Sequence, residues 1–387
     1  MRHHPLAVAI ATVALLSVLQ TASAHGPAPV ALEVLAHDGE VPTLLRTNLG
    51  LARSAGDGTY EYICPSRWDG NELFLAEARA GGEEILVHSA GVAYLSSDAG
   101  CTFSALTGDE LYVTDAAETQ TGFVFIAEDY PDDVNPESSH VFEWAEGALR
   151  ELSLPVPGAI DGVVGLVPEP GFLVSGHRPE TFVADETGRL LLSAGPPTSR
   201  LTPRAATGAE VWLRALVEDG VSLWRVSDGE ATPTASATII HGPVYDGTRW
   251  LALIDGAVHE FVGTWRPLGD VDWTCLRSHA GRSFACSLIA MQELGGPGPL
   301  PTATPVFSTL QFGPPRACGE SAAQLACERD WAHFGGEPGW LDTLPATSPT
   351  GDRRAPGGCS VTAGRDAGFV PWSLLFAAIV LMRRRRR

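Results

Sequence analysis

The chain reads as an all-β fold, on three observations. Short runs of β-branched and aromatic residues recur along it, Asp-Gly turn signals separate them, and 42 Gly with 29 Pro among 387 residues work against long helices. The runs are Glu72 to Leu75, Glu84 to Val87, Gly122 to Ile126, Val141 to Trp144, Gly171 to Val174, Thr181 to Val183, Val221 to Trp224, Arg249 to Ile254 and Val258 to Phe261. Between them, Ser227-Asp228-Gly229, Tyr245-Asp246-Gly247 and Ile254-Asp255-Gly256 supply the residues that tolerate the left-handed backbone of a tight hairpin. A meander of short strands fits a sandwich, a barrel or a propeller, in one large domain or two ordinary ones.

The segment Leu95 to Phe103 chooses among these. It fits the pattern Ser-x-Asp-x-Gly-x-Thr-aromatic, with Ser96, Asp98, Gly100, Thr102 and Phe103 at the fixed positions. The spacing has a mechanical reason: the Ser and Asp side chains take up backbone donors that a tight turn strands, Gly occupies a position with positive φ, and the aromatic ring plugs a gap between strands. Ser54, Asp57, Gly58, Thr59 and Tyr60 make a degenerate copy, one residue short, and Ala184 to Gly188 is at best a relic of a third. Tyr60 and Phe103 lie 43 residues apart, one blade length. The pattern resembles the Asp-box of sialidase-like (BNR) propellers. That resemblance implies a β-propeller, and residues 30 to 335 divided at this spacing give about seven blades; a sandwich or a two-domain β protein is the alternative.

Both ends carry targeting signals. Arg2, His3 and His4 precede an apolar run from Leu6 to Leu19 and a small-x-small site at Ala22-Ser23-Ala24, the pattern of a secretory signal peptide over residues 1–24 cut between Ala24 and His25. At the other end Gly357-Gly358-Cys359 is followed by a short polar spacer, a nearly unbroken apolar stretch from Phe369 to Met382, and Arg383 to Arg387. Terminal arginines stay on the cytoplasmic side, which places the body outside. This tail over 359–387 resembles the myxobacterial C-terminal sorting signals called MYXO-CTERM. The resemblance implies a sorting protease at the membrane, with Gly358 and Cys359 at the processing or lipid-attachment site. The domain plan is therefore a propeller-like body over 25–340, a Pro/Thr/Gly-rich stalk over 341–358, and a membrane-anchoring tail.

Charge narrows the partners. The chain has no Lys, and with Arg2, Arg365, Arg383 to Arg387 and Asp366 set aside, residues 25–358 hold 19 Arg against 45 Asp plus Glu, about 26 net negative charges. Such a field repels phosphate backbones, so nucleic acid is excluded as a partner. Six cysteines in an exported body, Cys64, Cys101, Cys275, Cys286, Cys318 and Cys327, point to three disulfides, and sequence alone leaves fifteen pairings open. Short spacings suit local staples, Cys275 with Cys286 and Cys318 with Cys327, which leaves Cys64 with Cys101. No CxxC occurs.

Catalytic signatures are sought without success. There is no Arg-Ile-Pro motif of the kind sialidases carry and no G-x-S-x-G; Val87 stands where His88-Ser89-Ala90-Gly91 would need Gly, and Gly263 replaces the second His of the HExxH-like string at His259-Glu260. Asp129, Asp132, Asp133 and Asn135 offer oxygen ligands for Ca²⁺ but lack EF-hand spacing, and read as a solvated acidic loop. His25, once freed as an N-terminus, could chelate copper, but nothing else in the chain resembles an enzyme that does so. His333 beside Trp331 is assigned no role. No catalytic residue, metal or cofactor is assigned. The expected function is an envelope-tethered binding or scaffold module for an unidentified protein or glycan ligand, and the alternative is a secreted glycan-acting hydrolase whose acid and base hide among the many carboxylates.

Overall fold

The structure is a computed structural model that describes residues 31–333 apart from 39–40, 70–72, 109–110, 130–138, 167–169, 177–180, 193–199, 208–209, 280, 288–289, 297 and 299. The chain divides into two units, Met1–Leu341 and Asp342–Arg387, and the second lies wholly outside the described residues. The signal peptide, the stalk and the tail, with Ala24, His25, Gly358 and Cys359, fall outside them too, as do Asp132, Asp133 and Asn135. No helix among the described residues is long and apolar enough to cross a membrane.

The first unit is a seven-bladed β-propeller. Seven antiparallel meanders follow one another over residues 31–63, 75–105, 111–152, 162–192, 200–237, 240–270 and 275–308, each a four-stranded sheet, with a fifth strand added to the first. The first strand of each sheet meets the first strands of its neighbours around a central axis. The second strands explain the apolar runs in the sequence. Gly122–Asp129, Phe172–Gly176 and Trp250–Ile254 are buried along almost their whole length, because each is pressed between two neighbouring blades and has no wet face. The fourth strands, such as Ala148–Leu152 and Glu230–Ala237, alternate towards solvent and read as polar.

Two-residue turns join many strands. Ala90-Gly91, Glu146-Gly147, Asp228-Gly229 and Asp255-Gly256 all have positive φ at both positions, the twist a right-handed hairpin needs. Two of these are the Asp-Gly pairs read from the sequence.

Ring closure does not use a blade shared between the termini. The first and seventh blades each draw four strands from a continuous stretch of chain, and the seam between them is held by side chains. His37 and His279 meet edge to face at 5.3 Å, Arg277 reaches Glu33 at 3.6 Å, and the buried Tyr60 ring meets Phe307 at 4.9 Å. After the seventh blade the chain crosses back to the first. Strand Phe312–Pro315 pairs in parallel with the outer strand Tyr60–Ile63, and helix Ala322–His333 follows. Its Trp331 ring packs on Tyr62 at 5.9 Å and Phe312 at 5.8 Å.

The disulfides correct the sequence reading in part. Cys275 does bond Cys286 across a hairpin, with Cα atoms 4.9 Å apart. The other two pairings were wrong: Cys64 bonds Cys327 and Cys101 bonds Cys318. Closeness along the chain misled, because the C-terminal helix folds back over the first two blades and brings Cys318 and Cys327 to partners more than 200 residues away.

Candidate functional site: a central cavity

The Asp-box is a scaffold turn. It joins the third strand of the second blade, Val92–Ser96, to the fourth, Ser104–Ala105. Asp98 Oδ1 accepts the N–H groups of Cys101 at 3.0 Å and Thr102 at 2.8 Å, its Oδ2 accepts the Thr102 hydroxyl at 2.7 Å, and Ser96 Oγ accepts the Gly100 N–H at 2.8 Å. Gly100 has φ +87°, and a Cβ there would lie 2.5 Å from Ile63 Cδ1. Partial burial pulls the Asp98 carboxyl upward, but the bonds from Thr102, Ser96 and Cys101 outweigh it and hold the pKa below the usual range. Phe103 packs edge to face on Trp68 at 5.3 Å.

The degenerate copy keeps the chemistry. Thr59 donates its N–H and hydroxyl to Asp57 Oδ1 at 2.9 and 2.6 Å, while Ser54 Oγ accepts the Gly56 N–H at 3.2 Å. Gly58 stands between them with φ +89°. Asp185 with Thr187 repeats this in the fourth blade, and Asp246 with Thr248 repeats it between the first two strands of the sixth. The common unit is an Asp that accepts both donors of a nearby Thr.

The described residues of the motif fragments are engaged with neighbouring protein groups. His88 ends a strand, is buried, and accepts the Gly91 N–H at 3.2 Å on Nε2; burial pushes its pKa down to about 4. His259 faces the Ala257 carbonyl at 3.0 Å, and the buried Glu260 is gripped by Arg266 and by Arg249 at 3.0 Å. Asp129 pairs with His140 at 3.3 Å. Among the described residues no group of three or more His, Cys, Asp or Glu side chains is arranged to hold a metal ion.

What the sequence did not indicate is a central cavity of about 920 Å³, to which all seven blades contribute. One side is acidic. Glu77 comes from the first strand of the second blade, and Asp115 and Glu118 from that of the third. Glu33 of the first blade lies beside them, paired with Arg46 at 3.1 Å and Arg277 at 3.6 Å. The Glu77 carboxyl lines the cavity yet is surrounded by protein, and its pKa is raised well above the usual range, first by desolvation and then by Glu33, Glu118 and Asp115. Asp115 Oδ2 also accepts the Val163 N–H at 3.1 Å, which ties the third blade to the fourth. The rest of the lining is mixed: Arg189, Arg204, Asp228 and Arg277 stand among apolar and aromatic residues that include Tyr245 and Trp250.

Close backbone approach sets this geometry. A Cβ on Gly165 would stand 1.7 Å from the Glu118 carbonyl oxygen, and one on Gly162 would stand 3.1 Å from Asp115 Oδ2. The acidic residues left one trace in the sequence. In Leu75-Ala76-Glu77-Ala78 and Val113-Thr114-Asp115-Ala116-Ala117-Glu118 they interrupt small, apolar strand residues, but without knowing which strands face the axis this could not be told from an exposed edge.

No protein-family model matches the chain, and no curated protein sequence matches it. Solved structures do. An ancestral GH74 enzyme aligns over 73% of this chain and 47% of its own, at 11% identity and a TM-score of 0.47. Dipeptidyl peptidase 4 of Porphyromonas gingivalis aligns over 74% of this chain and 52% of its own, at 10% identity and a TM-score of 0.41. The Dos1 propeller aligns over 62% of this chain and 74% of its own, at 12% identity and a TM-score of 0.41. The chain spans about half the length of the first two. Similarity at this level assigns no activity to it.

Proposed function

We propose that this protein is an extracytoplasmic binding module, held to the cell envelope by its C-terminal tail, that takes its ligand in the central cavity of the propeller. The observation that carries the reading is the cavity itself: about 920 Å³, lined by residues of every blade, with an acidic cluster of Glu33, Glu77, Asp115 and Glu118 and aromatic residues Tyr245 and Trp250. A volume of this size suits a small molecule, a sugar chain end or a peptide side chain, and its charged and aromatic residues offer such a ligand both polar and apolar contacts. The three disulfides are consistent with an oxidising compartment. The tail, with Cys359 at its processing site, supplies the tether in this reading, and the membrane and a sorting protease are its implied partners.

A second reading, a glycan-acting hydrolase, is favoured by one feature. A carboxyl with a raised pKa is what a general acid needs, and Glu77 is such a group, raised first by desolvation and then by the neighbouring Glu33, Glu118 and Asp115. One experiment separates the two. The full chain and its Glu77→Gln and Trp250→Ala variants are applied to an oligosaccharide and peptide array, and the same probes are assayed for cleavage. Retention of a probe by the parent, weakened in both variants and without product release, supports the binding module. Cleavage abolished by Glu77→Gln at unchanged melting temperature supports the hydrolase. Equal retention by all three proteins rules out the cavity as the site.

A further inference from the structure

The two long-range disulfides form a buckle. The chain leaves the propeller through helix Ala322–His333; Cys318, just before the helix, is bonded to Cys101, and Cys327, within it, is bonded to Cys64. Non-covalent contacts run in parallel with these bonds. The buried Arg67 donates to the Cys101 carbonyl at 2.8 Å, the Arg316 carbonyl at 2.7 Å and Gln324 Oε1 at 2.6 Å, and Ser66 hydrogen-bonds Asp330.

We infer that this buckle diverts force: tension arriving along the C-terminal chain passes through the Cys64–Cys327 bond into the first blade and bypasses the other six blades and the seam between the seventh blade and the first. The geometry gives the reason. Without the buckle, a pull at the C-terminal end would peel the helix, then strand Phe312–Pro315, then the outer strand Thr302–Ser308 of the seventh blade, one ladder hydrogen bond after another. With it, the covalent path from residue 31 to residue 333 runs from Cys64 directly to Cys327, and residues 65–326 carry no tension. The second bond, Cys101 to Cys318, is a reserve that still shelters residues 102–317 if the first opens. The biological meaning rests on the proposed tether; the mechanical property does not.

Single-molecule pulling on the full chain, with handles at its two ends, tests this by differences between samples. At roughly 3.3–3.6 Å per extended residue, the oxidised protein releases only residues 31–63 and 328–333, about 130–140 Å. Cys64→Ser combined with Cys327→Ser lengthens the release to about 300 Å, because Cys101 and Cys318 then set the limit. Cys101→Ser combined with Cys318→Ser leaves it unchanged. Full reduction of the parent chain lengthens it to about 1000 Å, and this arm stands even where a variant fails to fold. The inference is overturned by an oxidised parent that releases more than about 300 Å, or by reduction that changes nothing. A pulling failure with intact membrane attachment would reject the buckle alone, and the reverse result would reject the tether alone.

Discussion

Single side chains decide two properties that can be measured directly. Asp98 accepts two backbone N–H groups and the hydroxyls of Ser96 and Thr102. Asp98→Ala therefore weakens folding by about 1–2 kcal/mol, in the range of a lost cap or charge-assisted hydrogen bond, and leaves any probe retention in the distant cavity intact. Thermal unfolding beside the array experiment checks it; an equally stable variant that had lost retention would contradict the structural role. The histidines set acid sensitivity. Burial holds His88 at about 4, against only a weak opposing pull from Asp69, and holds His279 at about 4 with help from His37 and against Glu33. The unfolded chain takes up these protons near pH 6.5, so the stability from neutral His is complete above that pH and is lost as pH falls from 6.5 toward 4. For the buried His88 the loss is on the order of 3 kcal/mol once pH is well below 4. Melting temperature should drop between pH 7 and pH 4.5, and the drop should shrink in His88→Gln. Asp57, Asp98, Asp185 and Asp246, whose pKa values are lowered, act in a different window, losing their contribution only as pH falls below the usual carboxylate range.

Strands and turns show what the sequence could and could not disclose. The apolar runs Gly122 to Ile126 and Arg249 to Ile254 were legible as strands because a strand pressed between two blades is apolar on both faces. Asp228-Gly229 and Asp255-Gly256 were legible as turns because Asp followed by Gly readily accepts two successive left-handed positions, whereas Ala90-Gly91 and Glu146-Gly147 take up the same conformation without so clear a signal. The Asp-box was legible because its chemistry is local: every bond Asp98 makes to the backbone lies within four residues. The cavity was not, since its acidic wall joins Glu33, Glu77, Asp115 and Glu118 from three blades, and no local pattern records which residues a ring of blades turns toward its axis. Gly162 and Gly165 carry that hidden information, and the latter yields a prediction. A Cβ on Gly165 would stand 1.7 Å from the Glu118 carbonyl oxygen, an impossible distance, so Gly165→Ala must separate the inner strands of the third and fourth blades at more than about 3 kcal/mol. Gly256→Ala meets nothing within 4 Å and carries only left-handed strain, about 1–2 kcal/mol. Chemical denaturation of the pair should rank them in that order, and equal losses would show that the blades are not packed as described.

At the scale of the whole molecule, the seam between the first and last blades is the point where a propeller can open, and among the described residues no sheet spans it. The contact of His37 with His279 closes it between the inner strands, that of Tyr60 with Phe307 closes it between the outer ones, and the C-terminal strand and helix fasten the outside. The disulfides then contribute unequally. Cys275 to Cys286 spans 11 residues, so it removes little freedom from the unfolded chain, whereas Cys64 to Cys327 spans 263 and Cys101 to Cys318 spans 217. In the loop-entropy picture the short bridge stabilises by about 3 kcal/mol and either long one by about 5–6 kcal/mol. The two long bridges nest, however, so that with one in place the other closes only the short remainders 65–100 and 319–326, and its separate contribution falls. Replacing either long pair by Ser should thus lower the melting temperature only modestly, and replacing both should lower it by much more than the two single losses added. Melting the three variants beside the parent checks this, and strict additivity would mean that the two bridges restrain independent parts of the chain rather than one ring.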